Sequence, residues 1–323
     1  MSTTEKFIQM GIAVALFFGV MAAILLLTQR LRSRTGERVQ AAAFLAPAVL
    51  LIVIGLLYPA GRTIYRSFYG ASPFQAPFVG IENYVDLFTD STQLEVLRNT
   101  LLWVVLTPIV STFIGLIYAV LVDRARFEKF AKALLFLPMA ISMVGASIIW
   151  KFVYDFRSSD NVEQIGLGNQ VLEWIGLDPY NFLLTEPWNT LFLIVILVWI
   201  QAGFAMTILS AAIKAIPDDI IEAAKLDGVG GLRMFQHITI PSIRPSLIVV
   251  LTTITIATLK VFDIVQTATG GNFGTSVMAY EFYRQNFVSG NQGLATAIAT
   301  VIFLLVVPIV VYNIRQMRRL EGR

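Results

Sequence analysis

Seven long stretches of this chain carry almost no charge, and that feature constrains its fold more than any other. Residues 8–28, 39–61, 99–122, 133–150 and 187–213 contain no Asp, Glu, Lys or Arg. Residues 245–269 hold only Lys260 and Asp263, and 285–314 are again uncharged, with the apolar part starting near Leu294. A helix crossing a bilayer needs about 20 mostly apolar residues, and it must satisfy every backbone polar group within itself. The pattern predicts an all-α, polytopic transmembrane helical bundle of about seven spans, with the two termini on opposite sides. Composition agrees: 56% of the 323 residues are hydrophobic and 14% are charged, against about 25% charge in soluble domains. A soluble enzyme, a disordered tail and a nucleic-acid binder are excluded. With no cysteine and a single histidine, His237, disulfides, thiolate nucleophiles, iron–sulfur clusters and multi-His metal sites are excluded too. No catalytic or metal site is expected.

Lys and Arg concentrate on the cytoplasmic side of membrane proteins. The 29–40 connection (Arg30, Arg32, Arg34, Arg38), the 123–132 connection (Arg124, Arg126, Lys129, Lys132), the 214–244 loop (Lys214, Lys225, Arg233, Arg244) and the tail (Arg315, Arg318, Arg319, Arg323) hold 16 of the 24 basic residues. Lys6, Arg62, Arg66, Arg98, Arg157 and Arg284 lie in the other set. The first set is therefore expected in the cytoplasm, with the N-terminus outside and the C-terminus inside. Four arginines follow the first apolar stretch and only Lys6 precedes it, the reverse of a signal peptide's charge order. That stretch reads as a retained helix. The outer loops 62–98 and 154–188 are rich in aromatic residues and glycine. They admit two readings: interfacial belts, or a docking surface for a partner.

The loop from Lys214 to Arg244 reads KAIPDDIIEAAKLDGVGGLRMFQHITIPSIR. Pro217 followed by Asp218 and Asp219 marks a helix start, and Asp219 with Glu222 has capping-box spacing. Gly228 is a C-terminal stop, and Gly230 and Gly231 prolong the turn. A second short helix is expected through Leu232, Phe235 and Ile238, ended by Pro241 and Pro245. Ala223 and Ala224 are small enough for another protein to approach closely. A plain amphipathic connector is the competing reading.

Glu222-Ala223-Ala224, Asp227-Gly228, Ile238 and Pro241 carry a resemblance. Their order and spacing are similar to the EAA signature of ABC importer permeases: EAA, three residues, Gly, nine residues, Ile-x-Leu-Pro. Ile240 stands where leucine is usual. Phe235 and Pro245 resemble the carbohydrate branch, as does the run 259–265 followed by Thr269-Gly270-Gly271. Where maltose-type permeases continue Gly-Gly-Gly-Pro, this chain has GGNFGTS, which resembles the alpha-glucoside branch. The resemblance covers about residues 40–320. It implies an N-terminal helix and linker over 1–38, a six-helix permease domain over 39–323, and a coupling hairpin within 214–244. It also implies partners: a second permease subunit forming a heterodimer, a dimer of ATP-binding subunits that hold ATP and Mg, an extracytoplasmic solute-binding protein, and membrane lipid, but no nucleic acid. The chain contains no Gly-Lys dipeptide, so it has no P-loop of its own; the resemblance implies that it holds no cofactor and is a transport subunit rather than an enzyme. By resemblance, Glu222, Ala223, Ala224, Asp227, Gly228, Ile238 and Pro241 couple it to the ATPase. Glu222 meets basic groups there, and Gly228 permits the turn.

Polar groups inside spans usually face the bundle interior or a cavity. The sixth stretch offers Thr253, Lys260 and Asp263, the last two spaced to pair on one helix face. The fifth offers Trp199, Gln201 and Phe204, where the resemblance places sugar-contacting aromatics. Each set also has a structural reading, as a packing pair or as packed and lipid-facing rings. The function expected is that of a sugar permease subunit in the inner membrane, with an alpha-glucoside or other oligosaccharide as substrate. The alternative is the same fold serving glycerol phosphate or a polyamine. A membrane-embedded enzyme or an ion-coupled transporter would want more intramembrane carboxylates or histidines than Asp263 alone.

Overall fold

The computed structural model describes residues 3–28, 34–72, 76–123, 126–158 and 163–321. Arg30, Arg32, Phe74, Arg124 and Arg323 lie outside them. The described residues are helical throughout apart from turns, extended loops and one isolated bridge between Tyr69 and Phe78. They fall into two compact units, Met1–Tyr65 and Arg66–Arg323. The first contains α1 (Thr3–Thr28) and α2 (Arg34–Ile52), the latter continuing through a π turn, Val53–Leu57, into α3 (Tyr58–Arg66). None of the apolar residues of Ala41–Arg66 is buried.

The second unit runs α4 (Glu82–Thr89), α5 (Ser91–Val122), α6 (Glu128–Phe136), α7 (Met143–Val153), α8 (Leu167–Trp174), α9 (Asn189–Lys214), α10 (Asp218–Leu226), α11 (Gly231–Met234), α12 (Ile240–Thr258), α13 (Asp263–Ala268), α14 (Met278–Tyr283) and α15 (Gln292–Glu321). Its centre is α9, which buries Leu193, Ile196, Leu197, Met206 and Leu209 almost completely. Against it lies α5. A Cβ placed on Gly115 would come within 2.5 Å of the Ala205 methyl and 2.7 Å of the Met206 nitrogen. Ser111, Gly115 and Ala119 recur every four residues on α5, and all three are buried. Lipid supplies no hydrophobic drive between helices, so close approach along a seam of small residues is what packs them. At one end of the pair, Asn99 of α5 donates to the carbonyls of Gly274 and Ser276, and Asn189 of α9 donates to that of Phe273. At the other end, Lys214 of α9 pairs with Asp123 just past α5. The two helices therefore run parallel.

Five helices are long and apolar enough to cross a membrane: Ala41–Arg66, Ser91–Val122, Asn189–Lys214, Gly231–Thr258 and Gln292–Gln316. A sixth crossing results if Glu128–Ala140 and Met143–Val153 form one broken span. Among the described residues that makes five or six candidate crossings, against the seven expected. The first stretch lies in α1, a 26-residue helix, Thr3–Thr28. The fourth stretch is bent by 102°: Pro138 sits in a 3₁₀ turn, Leu137–Ala140, and the Ser142 side chain accepts from the Gly145 nitrogen to start a new helix. The sixth stretch stops at Thr258, where the chain turns to bury Leu259 and Val261, each 3% exposed. The seventh begins at Gln292, close to the apolar start expected near Leu294, just after Gly290 at φ +70°. Pro241 and Pro245 do not end a helix. A π turn, Phe235–Thr239, takes up the change of register, and one helix runs through both prolines from Gly231 to Thr258.

Candidate functional site

The 214–244 hairpin is built from short-range forces. Helix α10 starts where Pro217 occupies the cap position, with Asp218 and Asp219 in the first turn and Lys225 in the last. Those charges complement the helix dipole. The capping box expected from Asp219 and Glu222 does not form: Pro217 takes the cap and offers no side-chain acceptor, leaving Asp219 inside the helix. At the other end Gly228 adopts φ +72°. Its nitrogen donates to the Lys225 carbonyl, and that of Val229 to the Ala224 carbonyl, which is the paired closure of a Schellman motif. Nothing lies within 4 Å of a Cβ placed on Gly228, so backbone conformation alone selects glycine there.

The hairpin is anchored by Ile216, which is buried, and by Ile221. Both pack on the cluster of Ala119, Leu209 and Ile243. Glu222 and Ala223 are exposed, and Leu226 is 89% exposed. Ala224 is turned inward at 6% exposure, so only one of the two alanines presents a surface. Asp227 and Pro241 are exposed, and Ile238 is half-buried in the π turn. The result is a compact knob that turns Glu222, Ala223 and Leu226 outward, with Asp227 beside them at the turn.

The pathway residues do not form one site. Trp199 is half-buried against Trp150, with ring centroids 5.8 Å apart. The two line a cavity of about 570 Å³ at the α6–α7 bend, together with Tyr118, Pro138 and Ile141. Phe204, five residues on, packs in a different cluster, with Ala205 and Met206, and Gln201 is half-buried. Thr253 is exposed on α12. Its neighbours Thr252, Thr255 and Thr258 donate to their own helix carbonyls. The expected Lys260–Asp263 pairing is not present: α12 ends before Lys260, which is exposed, and Asp263 opens α13 after a turn, so the two share no helix face. Sequence reading missed Trp150 and Tyr118, because an isolated aromatic in an apolar run carries no signal.

It also missed the loop between α13 and α14. Gly270, Gly271, Phe273 and Gly274 all have positive φ, between 56° and 68°. Phe273 holds that unfavourable conformation while its carbonyl accepts the 2.6 Å bond from Asn189. Beyond it, the fully buried Glu281 accepts from Gln93 at 3.1 Å, Gln285 at 2.6 Å, and the Arg284 Nη2 and Nε at 2.7 and 2.8 Å. Burial pushes this carboxyl up, but the bonds from Arg284, Gln285 and Gln93 outweigh it and hold it below the ordinary carboxylate value. An open cavity of about 590 Å³ lies at this end, lined by Glu95, Arg98, Glu186 and Asn189. Only the glycine-rich run hinted at such a loop.

Comparison with known proteins converges on one assignment. Residues 98–319 match the family described as binding-protein-dependent transport system inner membrane component. The chain is 47% identical over 278 residues to the osmoprotective compounds uptake permease protein GgtC of Synechocystis sp., covering 86% of this chain and 99% of that one. It is 45% identical over 280 residues to the alpha-glucoside transport system permease protein AglF of Rhizobium meliloti, covering 86% and 82%. Among solved structures, a bacterial ABC transporter that imports the acidic polysaccharide alginate matches at TM-score 0.72 and 24% identity, over 89% of this chain and 99% of that one. The fold, the spaced hairpin and these relatives together make the chain a member of the binding-protein-dependent ABC importer permeases, the multi-pass inner-membrane components of such transporters.

Proposed function

We propose that this chain forms part of the translocation pathway for a neutral saccharide, an alpha-glucoside or a related small glycoside, and receives the ATP-driven stroke through the 214–244 hairpin. The observation that carries the coupling half is the hairpin. It is locked by the Gly228 Schellman turn, anchored by Ile216 and Ile221, and offers Glu222, Ala223 and Leu226 outward. A rigid projection of that kind transmits displacement, whereas a flexible connector would absorb it. The saccharide half rests on the 45% identity to an alpha-glucoside permease and on the Trp150–Trp199 pair lining its cavity. Aromatic faces suit sugar rings, and one exposed lysine, Lys260, is thin provision for an anionic solute. The 47% identity to an osmoprotectant permease favours a compatible solute as the second reading.

The partners proposed are a second permease, a pair of ATP-binding subunits carrying ATP and Mg, and lipid around the exposed apolar helices. An extracytoplasmic binding protein completes the assembly, as in the alginate transporter solved with its periplasmic protein. The distribution of basic residues supports a cytoplasmic hairpin, with the N-terminus outside and the C-terminus inside. Uptake of labelled glucosides by the reconstituted complex tests the substrate; transport of a phosphorylated solute and of no glucoside would reject it. A reporter fused after Arg323 should be active only in the cytoplasm and one inserted at Asp178 only outside; the reverse rejects the orientation.

A further inference from the structure

A cluster of charges ties the foot of the hairpin to two other helices. Lys214 is the last residue of α9, and only Ala215, Ile216 and Pro217 separate it from α10. Its ammonium bonds Glu128, the first residue of α6, and lies 3.6 Å from the carboxylate of Asp123, the residue that closes α5. Glu128 also holds Lys132 at 2.7 Å, and Lys132 in turn donates to the Ser210 hydroxyl, one turn before Lys214 on α9. Five side chains thus knot the ends of α5 and α9 to the start of α6. The signs suit the helix ends, with lysine at the C-terminus of α9 and glutamate at the N-terminus of α6.

Further along, α6 cannot slide on α9. Gly203 of α9 faces the Leu135 carbonyl so closely that a Cβ there would strike it. Leu135 also packs beside Ala205 and Met206. From this contact α6 leads directly through the Leu137–Ala140 turn to the 102° bend before α7. The cavity holding Trp150 and Trp199 sits at that bend, walled by Leu134, Leu135 and Pro138 of the same segment.

We propose that Lys214, Glu128 and Asp123 are positioning residues for transport: they clamp the hairpin foot to α6, so that hairpin displacement reaches the bent α6–α7 pair instead of being lost in the Ala215–Pro217 link. This rests on the coupling role proposed above for the hairpin. The chemistry suits a clamp rather than a fold determinant. Lys214 is half exposed, and an ion pair open to solvent on one side adds little to stability. The core of α5 and α9 is packed without them, along Gly115, Ala119 and Ala205.

The test uses the full complex in proteoliposomes, comprising both permeases, the ATP-binding subunits and the binding protein. Maltose, sucrose and trehalose serve as probes, and uptake and ATP hydrolysis are measured in the same vesicles. Lys214→Gln and Glu128→Gln should assemble normally and hydrolyse ATP, yet move about five-fold less sugar per ATP, the low end of ordinary coupling energies. Lys214→Arg, which keeps the pairing, should retain the wild-type ratio. An unchanged ratio in both Gln variants overturns the clamp, as does failure of both to assemble, since the cluster would then be needed for folding. A wild-type complex that moves none of the three sugars rejects the saccharide reading instead. The clamp is then read from the stimulation of ATP hydrolysis by the binding protein, which Lys214→Gln should weaken and Lys214→Arg preserve.

Discussion

The hairpin at one end of α5 and α9 and the glycine-rich loop at the other are both irregular, yet they are held in opposite ways. The hairpin closes on itself: its decisive bonds join residues three to five apart, Gly228 to Lys225 and Val229 to Ala224. The loop and the α14 helix that follows it are held by residues far away in sequence, with Asn99 and Asn189 on Gly274, Ser276 and Phe273, and Gln93 on Glu281. Glu222 is exposed, whereas Glu281 is fully buried. A turn closed by its own backbone leaves its outer face free to serve a partner, and a segment that several helices grip serves the fold. Stability should therefore respond to changes in the loop, and transport to changes in the hairpin.

The strongest challenge to that contrast is Glu281→Ala. It removes the acceptor shared by Arg284, Gln93 and Gln285, and each buried amide left without its acceptor costs about 1–3 kcal/mol. Thermal unfolding in detergent should show a large drop; a midpoint near wild type would mean that the loop does not govern the fold. The same carboxylate links stability to pH. Its folded value is depressed below the ordinary 4.5. Its contribution is thus present above 4.5 and fades as pH falls through the lower folded value. Glu281→Gln should flatten that acid limb, which a pH series of unfolding midpoints would detect.

Asn99→Ala comes next. It strips two carbonyls of their buried donor, a loss of about 1–3 kcal/mol, seen as a smaller drop in the same assay. In the hairpin, Gly228→Val forces a side chain into φ +72°, worth about 1–2 kcal/mol, so the protein should still fold. Transport should nevertheless be abolished, because the knob loses its shape. Glu222→Lys should have the least effect on stability, within about 0.5 kcal/mol for an exposed position, while ending sugar uptake and the response of ATP hydrolysis to binding protein. Uptake at wild-type level in both hairpin variants would reduce the hairpin to a connector.

The legible parts of the molecule were those whose cause is local. Long uncharged runs became helices, and Gly228 was foreseen as a stop because an αL turn declares itself in sequence. Errors arose where two local signals competed. Pro217 displaced Asp219 from the cap. A π turn carried the helix through Pro241, and Pro138 with Ser142 bent an apolar run that reads as straight. The Lys260–Asp263 pairing failed because periodicity cannot see a chain leaving its helix at Thr258 to bury Leu259 and Val261.

By itself, the sequence determined that this is a helical membrane protein with a spaced hairpin, since continuous apolar runs of about 20 residues cross lipid as helices, with every backbone bond made inside the segment. Only the tertiary structure decided which polar groups meet. Gln93 finds Glu281 across 188 residues, and Lys214 finds Glu128 across 86. Trp199 meets Trp150 only because α6 and α7 bend. Such pairings depend on how closely α5, α6 and α9 approach, and that distance is set by the absence of side chains at Gly115 and Gly203, a packing fact that no local pattern records.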